Sequence, residues 1–122
     1  MLIGELAHEA GTTVRALRYY EQQGLLHPRR TANRYRDYGE NSILRVRNIR
    51  LLLSLGFTAE DLHAFLPCLD QDIEANRCPG SASVIAGKLT ELEGKITALA
   101  EIRDRLSVFL DRVNGGCDRD GL

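Results

Sequence analysis

The sequence predicts a mainly α-helical chain: a helix-turn-helix with a β-hairpin wing, then a helical pair, then one long helix. Three observations predict it. Two short amphipathic segments are joined by Gly11-Thr12-Thr13. A stretch rich in Arg, Tyr and Thr over residues 26–38 has the composition of a pleated ribbon. An apolar seam runs Ile85, Leu89, Leu92, Ile96, Leu99, Leu106, Leu110, Val113, in steps of 4, 3, 4, 3, 7, 4 and 3, which is a heptad pattern.

The first helix is read from Ile3, Leu6, Ala7 and Ala10 at helical spacing, stopped by Gly11. Thr12 or Thr13 caps the second, because a hydroxyl accepts from the free N–H groups of a first turn. Val14, Leu17 and Tyr19-Tyr20 then repeat helically to Gln23, where Gly24 and Pro28 break the run. In the wing, Asn33 tolerates the left-handed conformation that a hairpin tip needs. Asn41 or Ser42 is expected to cap a third helix, Ile43–Leu55, ended by Gly56. Thr58 caps a fourth, and the third residue on, Asp61, is one methylene shorter than the Glu of a full capping box. That helix is expected to end at Pro67.

Residues 67–83 read as a loop by composition, with Pro67, Asp70, Asp72, Asn76, Pro79, Gly80, Ser81 and Ser83. The seam places the long helix over 84–114, with Arg103 at one core position and Gly115-Gly116 ending it. The chain thus divides into a winged helix-turn-helix domain with its connecting helices over 1–66, a loop over 67–83, a long helix over 84–114 and a tail over 115–122. A helix of about 30 residues in so short a chain has no core of its own to pack on, so pairing with a second copy is expected through Leu89, Leu92, Ile96, Leu99, Leu106 and Leu110. Folding back over the first domain is the alternative.

The 122 residues suit one domain with an appendage, and 43% hydrophobic content suits a folded chain. No stretch approaches the roughly 20 apolar residues of a membrane span. The N-terminus carries acids and no basic segment, so no signal peptide and a cytoplasmic chain are expected. The net charge of −1 hides an asymmetry: residues 1–50 hold nine Arg against five acids, and residues 51–122 hold seven basic against twelve acidic residues. A basic half joined to an acidic half suggests that one end meets a polyanion. No nucleophile–base pattern, Gly-rich phosphate loop or paired-carboxylate motif is present, so no enzyme is expected.

Duplex binding needs cations facing phosphates and an element that enters a groove. Arg15 and Arg18 are three apart on the second helix and share a face. Tyr19 and Tyr20 follow; a phenol donates to phosphate while its ring packs on the domain. The wing adds Arg29, Arg30, Arg34, Tyr35 and Arg36, suited to phosphate contact and minor-groove approach. Tyr38 reads as core.

The runs Ile3-Gly4-Glu5-Leu6-Ala7, Val14-Arg15-Ala16-Leu17-Arg18-Tyr19-Tyr20-Glu21, Gly24-Leu25-Leu26, Arg34-Tyr35-Arg36-Asp37-Tyr38, Ile49-Arg50 and Leu55-Gly56-Phe57-Thr58 resemble the MerR family of transcription regulators. The resemblance is almost continuous over residues 1–66, and the following helix extends it. It implies a winged helix-turn-helix and an antiparallel coiled coil. It also implies a homodimer on inverted-repeat promoter DNA, whose overlong spacer is bent and untwisted for RNA polymerase when an effector is sensed. The deformation makes this indirect readout. By motif position it implies DNA contacts at Arg15, Arg18, Tyr20, Arg34, Tyr35, Arg36 and Arg50. One departure is local: Arg34 stands where family wings often carry Gly, so Asn33 must supply the turn.

The effector is open at three cysteines. Metal-sensing relatives place one Cys just before the dimer helix and two after it. Here Cys78 precedes the helix, Cys117 follows it, and a second downstream Cys is missing. A helix of about 30 residues is about 45 Å long, so the two cannot meet within one subunit. In an antiparallel pair, Cys78 lies near Cys117 of the partner subunit, a two-thiolate site suited to a soft ion such as Hg²⁺ or Cu⁺. Zn²⁺ wants four ligands, and His63 is a poor supplement. No cofactor is expected to be needed for folding. A second reading pairs Cys68 with Cys78 as a redox switch; a third makes Cys68 a small buried hydrophobe. Sensing of a small organic molecule, or an architectural or developmental DNA binder with no effector and incidental cysteines, also fits the sequence.

Overall fold

In α1 (Ile3–Ala10), Leu6, Ala7 and Ala10 fall on one face and are buried. Its end is closed by Gly11 at φ +70°, a left-handed conformation that L side chains rarely adopt. The Gly11 amide donates to the His8 carbonyl and the Thr12 amide to that of Ala7, pairing carbonyls that a helix end leaves free. Of the two threonines, Thr13 is the cap of α2 (Val14–Gln22): its hydroxyl accepts from the Ala16 amide at 3.1 Å. The Gly24 and Leu25 amides close α2 on Glu21 and Tyr20 as Gly11 and Thr12 close α1.

The computed structural model describes residues 1–30, 36–74, 78 and 80–120, with backbone alone at 30, 36 and 116–120. The wing's strands are β1 (Arg29–Arg30) and β2 (Arg36–Asp37), antiparallel, with Arg29 opposite Asp37 and Arg30 opposite Arg36. Asn33, Arg34 and Tyr35 lie outside the described residues. The wing's base is pinned by the N-terminus. The Met1 amine donates to Asp37 Oδ1 at 2.7 Å and to the Tyr38 carbonyl at 2.9 Å, and the Tyr38 amide donates back to the Met1 carbonyl. Tyr38 is core, as expected, and its hydroxyl donates to the Glu21 carboxylate on α2.

The third helix, α3 (Asn41–Ser54), begins earlier than expected. Asn41 is already helical, and Glu40, the preceding residue, makes no side-chain cap bond; neither Asn41 nor Ser42 caps it. Val46, Ile49 and Leu52 on its inner face are buried in the same core as Leu6, Leu17 and Leu62. Thr58 and Asp61 form the reciprocal box. The Thr58 amide donates to Asp61 Oδ2 at 2.9 Å, and the Asp61 amide to Thr58 Oγ1 at 3.1 Å. The helix they start is a 3₁₀ helix, Asp61–Cys68, and Pro67 lies inside it. Proline lacks an N–H but its fixed φ is near the helical value, so the backbone turns once more to Cys68. Phe57 and Phe65 pack edge to face, centroids 5.3 Å apart.

The chain divides into two compact units, Met1–Ile85 and Ala86–Leu122. The second consists of the continuation of α4 (Ala82–Asp120). This helix runs through Gly115-Gly116 and does not stop there as the sequence reading expected. A glycine costs a helix about 1 kcal/mol relative to Ala but does not block it, as a proline would. Within the chain, the seam residues Ile85, Leu89, Leu92, Ile96, Leu99, Leu106, Leu110 and Val113 are exposed, Leu89 by 55%. No described helix is long and apolar enough to cross a membrane.

Candidate nucleic-acid interface and the cysteine pair

The arginines of the first unit fall into two groups. Those of α3 are engaged with the protein itself. Arg45 donates through Nε to the Leu25 carbonyl at 2.6 Å and through Nη1 to Asp70 at 3.2 Å. Arg47 donates to the Glu9 carbonyl at 3.2 Å, and Arg50 to the Ala10 carbonyl at 2.9 Å. Arg47 and Arg50 thus cover the C-terminal end of α1, where carbonyls point outward and a cation is favoured.

On α2 the picture is the reverse. Arg15 and Arg18 are exposed, and among the described residues neither makes an ion pair or side-chain hydrogen bond. Leu17 and Tyr20 turn the opposite face of α2 into the core. Tyr19 is 46% exposed beside the two arginines. The result is a helix with one anchored face and one open cationic face carrying an aromatic ring.

Tyr20 is not placed as a free surface side chain. It is 6% exposed, and burial pushes its phenol up from the ordinary value, against the nearby Arg50 cation and a hydrogen bond with the Thr12 side chain. Arg50 is exposed, but its guanidinium is engaged with α1 and lies close enough to Tyr20 to act on its phenol. On the wing, Arg29 reaches Asp37 Oδ2 at 3.5 Å. The side chains of Arg30 and Arg36 and all of Arg34 and Tyr35 lie outside what the structure describes.

Cys68 and Cys78 are joined by a disulfide, their Cα atoms 5.6 Å apart. Cys68 is also buried, at 2% exposure, so it is at once a buried side chain and covalently paired with Cys78. Two side chains that sequence reasoning missed organise this region. Asn48, buried on α3, donates through Nδ2 to the carbonyls of Leu69 and Gln71 at 2.8 and 2.7 Å. Ser81, also buried, donates through Oγ to the Cys78 carbonyl at 2.9 Å. A polar residue at a helix position where an apolar one would suit the core is the signal that marks Asn48. The Cys117 side chain lies outside the description, and the described residues include no group of three or more His, Cys, Asp or Glu placed to hold a metal.

A helix-turn-helix with a hairpin wing, an open cationic helix face and a long helix with an uncovered apolar seam define a class: winged helix-turn-helix DNA-binding regulators. Residues 1–67 match the family described as MerR HTH family regulatory protein, and residues 43–108 match MerR, DNA binding. The chain belongs to the MerR family. The HTH-type transcriptional regulator HmrR of Rhizobium leguminosarum bv. viciae is 33% identical over 116 residues, covering 94% of this chain and 88% of that protein. The HTH-type transcriptional regulator ZntR of Escherichia coli (strain K12) is 34% identical over 116 residues, covering 94% of this chain and 79% of its own. Among solved structures, the transcription regulator PbrR691 from Ralstonia metallidurans CH34 in complex with lead(II) superposes with a TM-score of 0.68 at 26% identity. That match covers 87% of this chain and 82% of the other. The chain is therefore a DNA-binding transcription regulator and not an enzyme.

Proposed function

We propose that the chain acts as a homodimer on an inverted-repeat promoter, with α2 of each copy in a major groove and the wing beside it. On this reading Arg15, Arg18 and Tyr19 face the duplex, and Arg30, Arg34, Tyr35 and Arg36 follow the wing along the backbone. Tyr20 holds α2 in the core, and Arg50 is engaged with α1. The carrying observation is the contrast between the open Arg15–Arg18 face and the occupied Arg45, Arg47 and Arg50. Cations without internal partners are the ones available to phosphates and base edges. The exposed α4 seam supports a second copy as its cover, because an apolar stripe over four heptads, broken at Arg103, has the pattern of a coiled-coil interface. The dimer then deforms the promoter spacer for RNA polymerase, the protein–DNA contacts offsetting the bending energy. Band-shift titration on an inverted-repeat promoter tests this: Arg18→Ala should bind about five- to 150-fold more weakly, since a base contact is worth roughly 1–3 kcal/mol. Unchanged affinity in Arg18→Ala and Arg15→Ala contradicts it.

The effector reading concerns a soft metal ion, in line with the lead(II) named for one similar structure. The donors available are Cys78 and Cys117 of the partner subunit. Two thiolates fit an ion content with two soft ligands and do not fit zinc. Cys78 is in a disulfide here, and a disulfide sulfur is not a thiolate ligand, so the fit holds for the reduced chain. Bound there, the ion would supply a thiolate-held crosslink. The residues' own part is to present deprotonated sulfur.

A further inference from the structure

The two sulfurs of the Cys68–Cys78 disulfide sit in unequal surroundings. Cys68 ends the 3₁₀ helix in the core, whereas Cys78 is half-buried at its edge, its Sγ 4.0 Å from the Phe65 carbonyl. The segment between them is held at both ends by groups other than sulfur. Asn48 takes the Leu69 and Gln71 carbonyls, Arg45 takes Asp70, and Ser81 takes the Cys78 carbonyl. Beyond Ser81, the first turn of α4 is seated by the Ile85 amide on the Ser81 carbonyl and by Val84 against the core. These contacts do not depend on the disulfide, so the two thiols of a reduced chain are held as neighbours. Held neighbours react intramolecularly at high effective concentration. That is the construction of a pair that opens and closes, where a staple would be the sole support of its loop.

We propose that Cys68 and Cys78 are a reversible dithiol–disulfide site for low-molecular-weight disulfides, with Cys78 the entry thiol and Cys68 the resolving thiol. The Cys78 thiolate attacks one sulfur of a disulfide RSSR. The RSSR bond breaks, one RS⁻ leaves and takes up the proton that Cys78 released, and a mixed disulfide remains on Cys78. Cys68 then loses its proton and attacks Cys78 Sγ. The Cys78–SR bond breaks, and the second RS⁻ leaves and is protonated. Two protein thiols are oxidised by two electrons and one RSSR is reduced to two RSH. The order follows from access: the half-buried sulfur at the edge meets the external reagent first, and the buried one meets its neighbour. This gives the regulator of the preceding reading a thiol–disulfide input, and the chemistry is tested without DNA, so either reading can fail alone.

The test uses full-length chain carrying Cys117→Ser, reduced, desalted and mixed with glutathione disulfide, then quenched with acid and weighed intact. The expected product is a chain lighter by two hydrogens with no glutathione attached, reversed by dithiothreitol. With Cys68→Ala added, glutathione should remain stably on Cys78. With Cys78→Ala added instead, Cys68 should react roughly tenfold or more slowly than Cys78 does, as a shielded thiol does. Should Cys68→Ala fail to fold by circular dichroism, the transient adduct trapped early in the Cys117→Ser chain must map to Cys78 by peptide digestion. A stable glutathione adduct in the Cys117→Ser chain, equal rates at the two sulfurs, or a first adduct on Cys68 overturns the proposal.

Discussion

The Arg50 guanidinium donates to the carbonyl of Ala10 at 2.9 Å, at the point where α1 gives way to the turn before α2. A Cβ at Gly11 would stand 3.2 Å from Arg50 Nη1, so the turn and the arginine are fitted to each other. Arg50→Ala should therefore lower unfolding stability by about 1.5–3 kcal/mol, the range for a hydrogen bond to a charged group. Arg18→Ala, with no partner among the described residues, should change it by less than about 0.5 kcal/mol. Urea unfolding of both variants checks the contrast. Equal losses would place the two arginines in the same role.

Asn48 holds the chain beyond Cys68 through two carbonyls. Asn48→Ala withdraws the donor from both and should cost about 2–3 kcal/mol, since a buried carbonyl without a partner carries a desolvation penalty. Chemical denaturation at fixed redox state measures it. Stability within about 0.5 kcal/mol of wild type would show that the carbonyls find other partners.

Much of the fold was legible because its punctuation is local. Gly11, Gly24, Thr13 and the Thr58–Asp61 box each act within a few residues, so composition and spacing reveal them. The 3₁₀ character of Asp61–Cys68 and the passage of α4 through Gly115-Gly116 were not legible: both are modest preferences that neighbouring turns override. The candidate site was readable to the same depth. Arg15, Arg18 and Tyr38 stand where spacing put them. Spacing could not separate Tyr19 from Tyr20 by burial, or Arg18 from Arg50 by hydrogen-bond partners, because both depend on which residues of α1 and α3 lie near α2. The Met1–Asp37 and Asn48–Leu69 contacts join residues far apart in sequence and carry no periodic signal.

Asp37 gives the wing a pH dependence. Its carboxyl is held below the ordinary aspartate value, first by the hydrogen bond from the Met1 amine and then by the charges of that amine and Arg29. A depressed folded value means the contribution is complete above the ordinary aspartate range and is lost as pH falls through the lower, folded value. Asp37→Asn should melt below wild type near neutral pH, and the gap should close on acidification. Thermal melts from neutral to strongly acidic pH test this; a gap that widens in acid contradicts it.

The disulfide closes a short loop, its cysteines ten positions apart. Chain-entropy arguments give such a crosslink roughly 2–3 kcal/mol. Reduction should lower stability by about that amount while leaving the chain folded, because Asn48, Arg45 and Ser81 still hold the segment. Denaturation with and without dithiothreitol measures it, with Cys68→Ala as the variant that should no longer respond. Complete unfolding on reduction would mean that the bond is the segment's main support.

The central claim is that the open face of α2 reads DNA. The most direct measurement is binding to an inverted-repeat promoter at several salt concentrations, comparing wild type with Arg18→Ala and Arg47→Ala. Arg18→Ala should lose about fivefold or more in affinity and, if it meets a phosphate, about one unit of salt slope. Arg47→Ala, whose cation is already turned to the Glu9 carbonyl, should keep the wild-type salt slope. The opposite pattern, with Arg47→Ala losing the slope and Arg18→Ala binding as wild type, would contradict the account.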